Sequence, residues 1–182
     1  MTWLMFYWLA EIDKYHIAVI KRKERNMDTT FKTPEGVFNY RVGAIILDGT
    51  KLLMAYDSRH KQYYSIGGRT HFGESSEEAV LREVFEETGV RTEIDRLGFI
   101  HENFFEIDGT PFHELAFFYF IKPFDYSKID FEAVKCDGET EKILWVDLKD
   151  KKITEDKMFF PEFFKTELLT PSKEIKHIIT VE

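Results

Sequence analysis

Cysteine is almost absent from this chain, since Cys136 is the only one among 182 residues. No intrachain disulfide can form, nothing points to an oxidising compartment, and the expected location is cytoplasmic. Positive charge is also scarce, because 25 Lys and Arg residues stand against 33 Asp and Glu residues, for a formal net charge of -8. We therefore expect no nucleic-acid partner, although a small anionic substrate can bind where a metal ion reverses the local charge.

The sequence also lacks a clear membrane or signal segment. The apolar segment Thr2–Ala10 (TWLMFYWLA) is shorter than the roughly 20 residues that a transmembrane helix needs, and extending it to Ile20 takes in three charged residues. No basic segment precedes it and no small-residue cleavage site follows it. We predict no membrane partner, an N-terminal extension over residues 1–26 and a single domain over residues 27–182. The extension is an accessory helix packed on the domain, a segment that the fold does not need, or a membrane-surface or partner-binding element.

Turn signals separate a series of predicted strands around one helix. Strands are predicted at Val37–Leu47, Lys51–Tyr56, Tyr63–Ile66, Glu93–Ile107, Phe112–Ile121 and Lys142–Val146. Asp48-Gly49 predicts a hairpin between the first two strands, Gly67-Gly68 is expected to end the third, and Asp108-Gly109 predicts a turn between the fourth and fifth. Strands before and after one central helix indicate an α/β domain with a mixed sheet.

Two further elements are predicted near the end of the chain. Phe160–Leu169 predicts a short helix with Pro161 in its first turn. Glu174–Val181 is either a final strand or an extended tail.

The central helix is predicted over Ser75–Thr88. Ser75 and Glu78 can form a capping box, and Gly89 supplies a C-terminal stop. Helical spacing puts Val80, Leu81, Val84 and Phe85 on one apolar arc and Glu83, Glu86 and Glu87 on the opposite arc.

An acidic arc of this kind is usually the solvated face of an amphipathic helix. Here, however, Glu86 and Glu87 lie in the last turn, where the helix dipole disfavours anions by about 0.3–1 kcal/mol. The acidic arc therefore indicates a cation that offsets the repulsion. Oxygen ligands without a neighbouring His or Cys favour Mg²⁺ or Mn²⁺ over Zn²⁺.

The segment from Gly68 to Val90, GRTHFGESSEEAVLREVFEETGV, resembles the Nudix box G-x5-E-x7-R-E-U-x-E-E-x-G-U, in which U is a bulky aliphatic residue. It matches at every fixed position, and the matching residues are Gly68, Glu74, Arg82, Glu83, Val84, Glu86, Glu87, Gly89 and Val90. The resemblance extends over about Phe38–Asp150. It implies an α/β/α sandwich around a mixed central sheet, and hydrolysis of a nucleoside diphosphate linked to another moiety.

The resemblance also implies roles for the acidic residues of the box. Glu86 and Glu87 match metal ligands, and Glu83 matches a position that binds metal, acts as the general base, or does both. Glu74 matches a residue that acts through metal-bound water or gives structural support, and Arg82 matches one that orients a glutamate.

Ligands outside these positions are expected as well. A carbonyl at Gly67 or Gly68 often completes the metal shell of the family. A further glutamate is expected in a loop beyond the box, where Glu139 and Glu141 are the candidates, each with an exposed loop acid as the alternative.

The sequence does not decide which diphosphate is the substrate. Nucleoside triphosphates, ADP-ribose or nucleotide sugars, and dinucleoside polyphosphates all remain candidates. The proline that marks the ADP-ribose subgroup is missing, because the first proline after the box is Pro111. Tyr64 and Phe104 are candidates for stacking on a nucleobase, with sheet core as the alternative, and Arg69 is a candidate for a phosphate contact.

Two other functions compete with catalysis. A nucleotide-binding regulatory module would keep the fold without catalysis, but such proteins usually lose box glutamates and none is missing here. A housekeeping domain with a structural cation and no substrate is the third interpretation. A homodimer is possible, since the family often forms one.

Overall fold

The computed structural model describes residues 27–131, 141–154 and 158–182, so the predicted extension over residues 1–26 lies outside the described residues. The strands of this part are β1 (Thr30–Thr33), β2 (Gly36–Ile45), β3 (Leu47–Asp48), β4 (Lys51–Asp57), β5 (Gln62–Arg69), β6 (Ile94–Ile107), β7 (Thr110–Ile121), β8 (Glu141–Asp147), β9 (Phe159–Phe160) and β10 (Lys176–Val181). Its helices are α1 (Ser76–Thr88), α2 (Lys151–Thr154) and α3 (Phe164–Glu167), and a single 3-10 turn spans Tyr126–Lys128. Within these ranges, no helix combines the length and apolar character that a bilayer crossing requires.

These strands join one mixed sheet. Its order is β10-β6-β7-β2-β5-β4-β3, and β1, β8 and β9 pair with β2, β4 and β5. Strand β7 runs parallel to β2, β10 parallel to β6 and β9 parallel to β5, whereas the other pairs are antiparallel. The prediction of an α/β domain with a mixed sheet is confirmed, and Glu174–Val181 contains a strand rather than an extended tail.

Turn chemistry explains where the hairpins form. Asp108 and Gly109 have φ values of 49° and 76°, as a two-residue turn of the mirror-image type requires, and they join β6 to β7 as predicted. The turn that follows Asp48, at Gly49-Thr50, joins the short strand β3 to β4, while β2 pairs with β5 and β7 instead. The predicted strand over Val37–Leu47 is therefore divided.

The prediction that Gly67-Gly68 ends the third strand is wrong, because β5 continues through both glycines to Arg69. Gly67 lies opposite Gly43 of β2 and has a φ of 143°. A Cβ atom on Gly67 would lie 2.2 Å from the carbonyl oxygen of Val42. The missing side chain therefore allows the strand to continue in close contact with β2.

The core forms two layers because strand side chains alternate between the two faces of the sheet. On one face, the buried residues of α1 (Ala79, Val80 and Val84) pack against strand residues such as Val42, Ala44 and Leu53. On the other face, Phe159, Phe164 and Leu168 pack against Phe99, Phe118 and Phe120.

The second helical layer is thinner than the predicted sandwich. The predicted helix over Phe160–Leu169 reduces to α3, because Phe159 and Phe160 are extended in β9 and pair with Tyr63 and Tyr64. Phe159 is completely buried, so core packing fixes the extended backbone at the point where the helix was expected to begin. The fold is an α/β arrangement with one full helical layer in the described residues.

Candidate active site

Both ends of α1 are fixed by local hydrogen bonds, which set the direction of its acidic side chains. The Ser75 hydroxyl accepts from the Glu78 N–H at 3.2 Å, and the Glu78 carboxylate accepts from the Ser75 N–H at 2.8 Å. At the other end, Gly89 has a φ of 73° and its N–H donates to the carbonyl of Phe85 at 2.9 Å. The predicted capping box and glycine stop are confirmed. Phe85, which was predicted to lie on the buried apolar arc, is instead 41% exposed, and the guanidinium of Arg91 lies over its ring.

The glycines of β5 bring its backbone against the carboxylates of α1. The N–H of Gly67 donates to Oε1 of Glu87 at 2.9 Å. A Cβ atom on Gly68 would lie 2.4 Å from Oε1 of Glu83, so only glycine leaves room for that carboxylate. Four of the predicted metal-site residues therefore meet at the junction of β5 and α1.

Arg82 connects the other acidic residues of the helix. Its guanidinium binds both carboxylate oxygens of Glu74, through Nε and Nη2, at 2.9 Å each. Its Nη1 donates to Glu83 at 2.8 Å and to Glu86 at 3.2 Å, and its Nη2 donates to the carbonyl of Arg69 at 3.0 Å. Burial alone would lower the pKa of Arg82, but the carboxylates raise it above its usual value. The guanidinium therefore stays charged and holds the glutamates in place.

The acidic residues differ in how well their charge is balanced. Burial alone would raise the pKa of Glu74, but hydrogen bonds from Arg82 and from the His71 N–H bring this pKa below its usual value. For Glu83, burial outweighs the bond to Arg82 and raises the pKa of the carboxyl. Burial raises the pKa of Glu87 to about 8, and the charges of Glu83 and Glu141 add to the shift. Glu83 and Glu87 are thus carboxyls that lack enough positive charge around them.

Glu87 and Gly67 line a cleft of about 1230 Å³. Glu141 lines the same cleft at the start of β8, where it pairs with Asp57 of β4. Its charge acts on Glu87, so the structure brings this candidate close to the helix carboxylates. The other loop candidate, Glu139, lies outside the described residues.

The remaining predicted contact residues lie in different places. Tyr64 lines the cleft, and its ring stacks on Phe160 with centroids 5.8 Å apart. Phe104 lines a separate groove of about 470 Å³, where it stacks on His113 at 4.4 Å. The Arg69 guanidinium binds Asp28 at 3.4 Å and is not a lining group of the cleft. The structure therefore brings Tyr64, but neither Phe104 nor Arg69, to the cleft that contains Glu87.

Sequence analysis did not place Arg41, His101 or Asn103 among the site residues, yet all three line this cleft. Arg41 lines it beside Glu114, with Nε and Oε2 3.8 Å apart. His101 and Asn103 line it from β6, and Nε2 of His101 lies 2.9 Å from the Thr180 hydroxyl of β10. The sequence shows only that His101 and Asn103 are two residues apart, which puts their side chains on the same face of a strand.

The donor groups fit a hard divalent cation in their chemistry, since they are carboxylate and carbonyl oxygens. Burial raises the pKa values of Glu83 and Glu87 because too little positive charge surrounds them, and a bound cation would supply that charge. Among the described residues, no three His, Cys, Asp or Glu side chains are already arranged so that they could hold a metal ion. Arg82 binds the carboxylates of Glu74, Glu83 and Glu86 in this arrangement.

Comparison with known proteins identifies relatives of this arrangement. A family model described as the NUDIX domain matches residues 37–166. Putative nudix hydrolase 1 of Caenorhabditis elegans is 30% identical over 123 residues, which make up 63% of this chain and 30% of that protein. The match thus spans less than a third of the relative's length.

Two solved structures share the fold. The MutT protein from Bacillus halodurans superposes with a TM-score of 0.56 at 17% identity, over 78% of this chain and 89% of that chain. A NUDIX hydrolase from Nitrosomonas europaea gives a TM-score of 0.55 at 14% identity, over 79% of each chain. At these identities the structures support the fold alone.

Proposed function

Since the chain belongs to the Nudix hydrolase family, we propose that it uses Mg²⁺ or Mn²⁺ to hydrolyse the diphosphate linkage of a nucleoside diphosphate joined to another moiety. Nucleoside triphosphates, ADP-ribose or nucleotide sugars, and dinucleoside polyphosphates are the substrate candidates. One observation carries the proposal: two carboxyls with raised pKa values, the partly buried Glu83 and the buried Glu87, lie against the glycines of β5 beside a large cleft.

The proposed ligands of the cation are the carboxylates of Glu83, Glu86 and Glu87, with a carbonyl of Gly67 or Gly68. When bound, the cation would neutralise the diphosphate and stabilise charge on the leaving phosphate. Glu74 supports this set through Arg82, because the two are joined by paired hydrogen bonds.

Two glutamates suit proton transfer. Oε1 of Glu83 accepts from Arg82, and its raised pKa makes the carboxylate a better proton acceptor near neutral pH. Glu141 approaches the same region from β8 and is the second candidate for the general base. Glu139 stays a sequence prediction.

The walls of the cleft offer groups for binding the substrate. Arg41 is the cation nearest this proposed chemistry among the lining residues, since its charge acts on both Glu83 and Glu87. We propose that it contacts a phosphate oxygen. Tyr64 and Phe160 stack on each other and present an aromatic surface on which a nucleobase can lie.

A hydrolysis screen tests the proposal. The panel contains oxidised and normal nucleoside triphosphates, ADP-ribose, nucleotide sugars and dinucleoside polyphosphates, each with Mg²⁺, Mn²⁺ or excess chelator. We expect metal-dependent release of a nucleoside monophosphate or of phosphate-containing products. Glu83→Gln and Glu87→Gln should lower turnover by orders of magnitude, whereas Glu77→Gln, on the exposed first turn of the same helix, is the matched control.

Two outcomes would contradict catalysis. A folded protein that binds Mg²⁺ and hydrolyses no member of the panel would refute the proposal. Tight nucleotide binding without turnover would favour the regulatory module instead. The homodimer, the cytoplasmic location and the role of residues 1–26 stay predictions from the sequence.

A further inference from the structure

The cleft carries a strong excess of negative side chains. Seven of its lining residues are Asp or Glu, whereas Arg41 and Lys165 are the only lysine or arginine residues among the described lining groups. A cleft that binds a diphosphate is expected to attract anions. The excess of carboxylates therefore needs an explanation beyond the metal site.

Both cations already lie beside carboxylates of the same cleft. Arg41 lies 3.8 Å from Glu114, and Lys165 lies 3.6 Å from Glu162. Once these pairs, the proposed ligand Glu87 and the general-base candidate Glu141 are set aside, three acidic residues of the wall remain: Asp57, whose carboxylate is bonded to His60, and Glu106 and Glu182. Bound metal would offset the diphosphate and the helix carboxylates, but it would leave this outer wall negative.

A polar group with an unmet hydrogen bond lies beside two of these acidic residues, on the same strand as Glu106 and next to Phe104, whose carbonyl accepts from the Glu182 N–H. Asn103 of β6 lines the cleft, and its Oδ1 is buried without a partner among the described residues. Its neighbour on the same face, His101, is by contrast bonded to Thr180. Since buried amide oxygens are normally paired, a small rotation of Asn103 toward an N–H or O–H group of a ligand would satisfy it.

We infer that the group attached to the diphosphate is uncharged or cationic and donates hydrogen bonds, as a hydroxyl-rich or amino sugar does. An attached group that carries a further carboxylate or phosphate meets the negative wall and is disfavoured. This inference rests on the proposed function and narrows its substrate class to diphosphates without an additional anionic group.

Matched substrates that differ in one charge test the inference. UDP-glucose, UDP-glucosamine and UDP-glucuronate share a nucleotide and differ in the charge of the sugar. ADP-ribose is likewise compared with ADP-ribose 1″-phosphate, which carries its additional phosphate on the attached ribose. We expect kcat/KM for the anionic member of each set to be about three- to five-fold lower than for the neutral one, which is the effect of a charge pair that solvent partly screens, since Glu106 and Glu182 are exposed. UDP-glucosamine should be cleaved at least as well as UDP-glucose.

Variants test whether the acidic residues of the cleft cause the preference for neutral over anionic substrates. The double variant Glu106→Gln/Glu182→Gln removes two wall charges and should bring the anionic and neutral substrates closer together. The control Glu77→Gln/Glu174→Gln removes the same charge from exposed positions outside the cleft and should leave the ratio unchanged. Asn103→Leu should raise KM for the neutral substrate about three- to ten-fold with little change in kcat, as expected for one lost hydrogen bond.

The outcomes separate this inference from the function on which it rests. If no member of either set is hydrolysed, the proposed function fails for these substrate classes and the inference falls with it. If an anionic member is cleaved as fast as its neutral counterpart, the inference is overturned and the hydrolase assignment stands. An unchanged KM in Asn103→Leu would remove Asn103 from substrate recognition.

Discussion

Replacing Glu87 by Gln should stabilise the metal-free protein at neutral pH while removing its response to divalent cations. Burial raises the pKa of this carboxyl from 4.5 to about 8. Because the folded pKa lies above the unfolded one, the stability that the proton provides is complete below pH 4.5 and is lost as the pH rises toward about 8. At about 1.4 kcal/mol per pKa unit, the loss between pH 5 and pH 8 is about 3.5 kcal/mol. Gln has no proton to lose, and its Oε1 can still accept from the Gly67 N–H.

Urea denaturation in chelator at several pH values between 5 and 8 measures this difference directly. The free energy of unfolding of the wild type should fall relative to that of the variant as the pH rises. Added Mg²⁺ should stabilise the wild type and leave the variant nearly unchanged, because a cation that binds only the folded state adds to its stability. Parallel pH curves would refute the account of Glu87 as an insufficiently compensated buried carboxyl, and equal stabilisation by Mg²⁺ would remove it from the ligand set.

Three further changes test other parts of the site. Gly68→Ala places a Cβ atom 2.4 Å from Oε1 of Glu83. We therefore expect turnover to fall at least ten-fold in steady-state kinetics, and the free energy of unfolding in urea to fall by about 1–3 kcal/mol. Wild-type turnover in this variant would contradict the close contact. Arg82→Lys keeps the charge but loses the paired bonds to Glu74, so kcat should fall more than KM changes, and equal kinetics would show that geometry at Arg82 does not matter. Burial lowers the pKa of His101 from 6.5 to about 4, so stability should be lost as the pH falls from 6.5 to about 4, by at most about 3 kcal/mol. His101→Gln should lack this loss in acid unfolding curves, and an identical curve would contradict it.

The local features of α1 were predictable because they depend on residues within one or two turns. Ser75, Glu78 and Gly89 define its ends through bonds to neighbouring residues, and the structure shows them as expected. The grouping of Glu83, Glu86 and Glu87 likewise follows from helical spacing. Their environments do not follow from it: Glu87 is buried whereas Glu86 has a side chain that is 54% exposed. That difference arises because β5 covers one edge of the helix, which is a long-range contact.

The cleft residues were harder to identify for the same reason. Tyr64 and Phe104 are both aromatic strand residues, but Phe104 alternates with Asn103 and Phe105, which line the cleft. The face of the sheet that packs against the cleft, which depends on long-range strand pairing, therefore decides which aromatic residue reaches it. The contribution of Glu141 depends on β8 pairing with β4. The unpaired Oδ1 of Asn103 depends on the packing around β6, which no sequence pattern reports.

The C-terminal turn of α1 is the part of the helix with the least favourable electrostatics, and it is also the part nearest the proposed metal site. The first turn of the helix contains Glu77 and Glu78, where the helix dipole favours acids, but its last turn contains no basic residue. Arg82 supplies positive charge to Glu83 and Glu86, and its paired hydrogen bonds hold its guanidinium against Glu74. Glu87 has no bond to Arg82 among these contacts and accepts a hydrogen bond from the N–H of Gly67. Uncompensated negative charge is thus concentrated where the helix meets the cleft. A cation bound there would strengthen the C-terminal turn as well as the substrate site, so metal binding and the stability of this turn should be coupled.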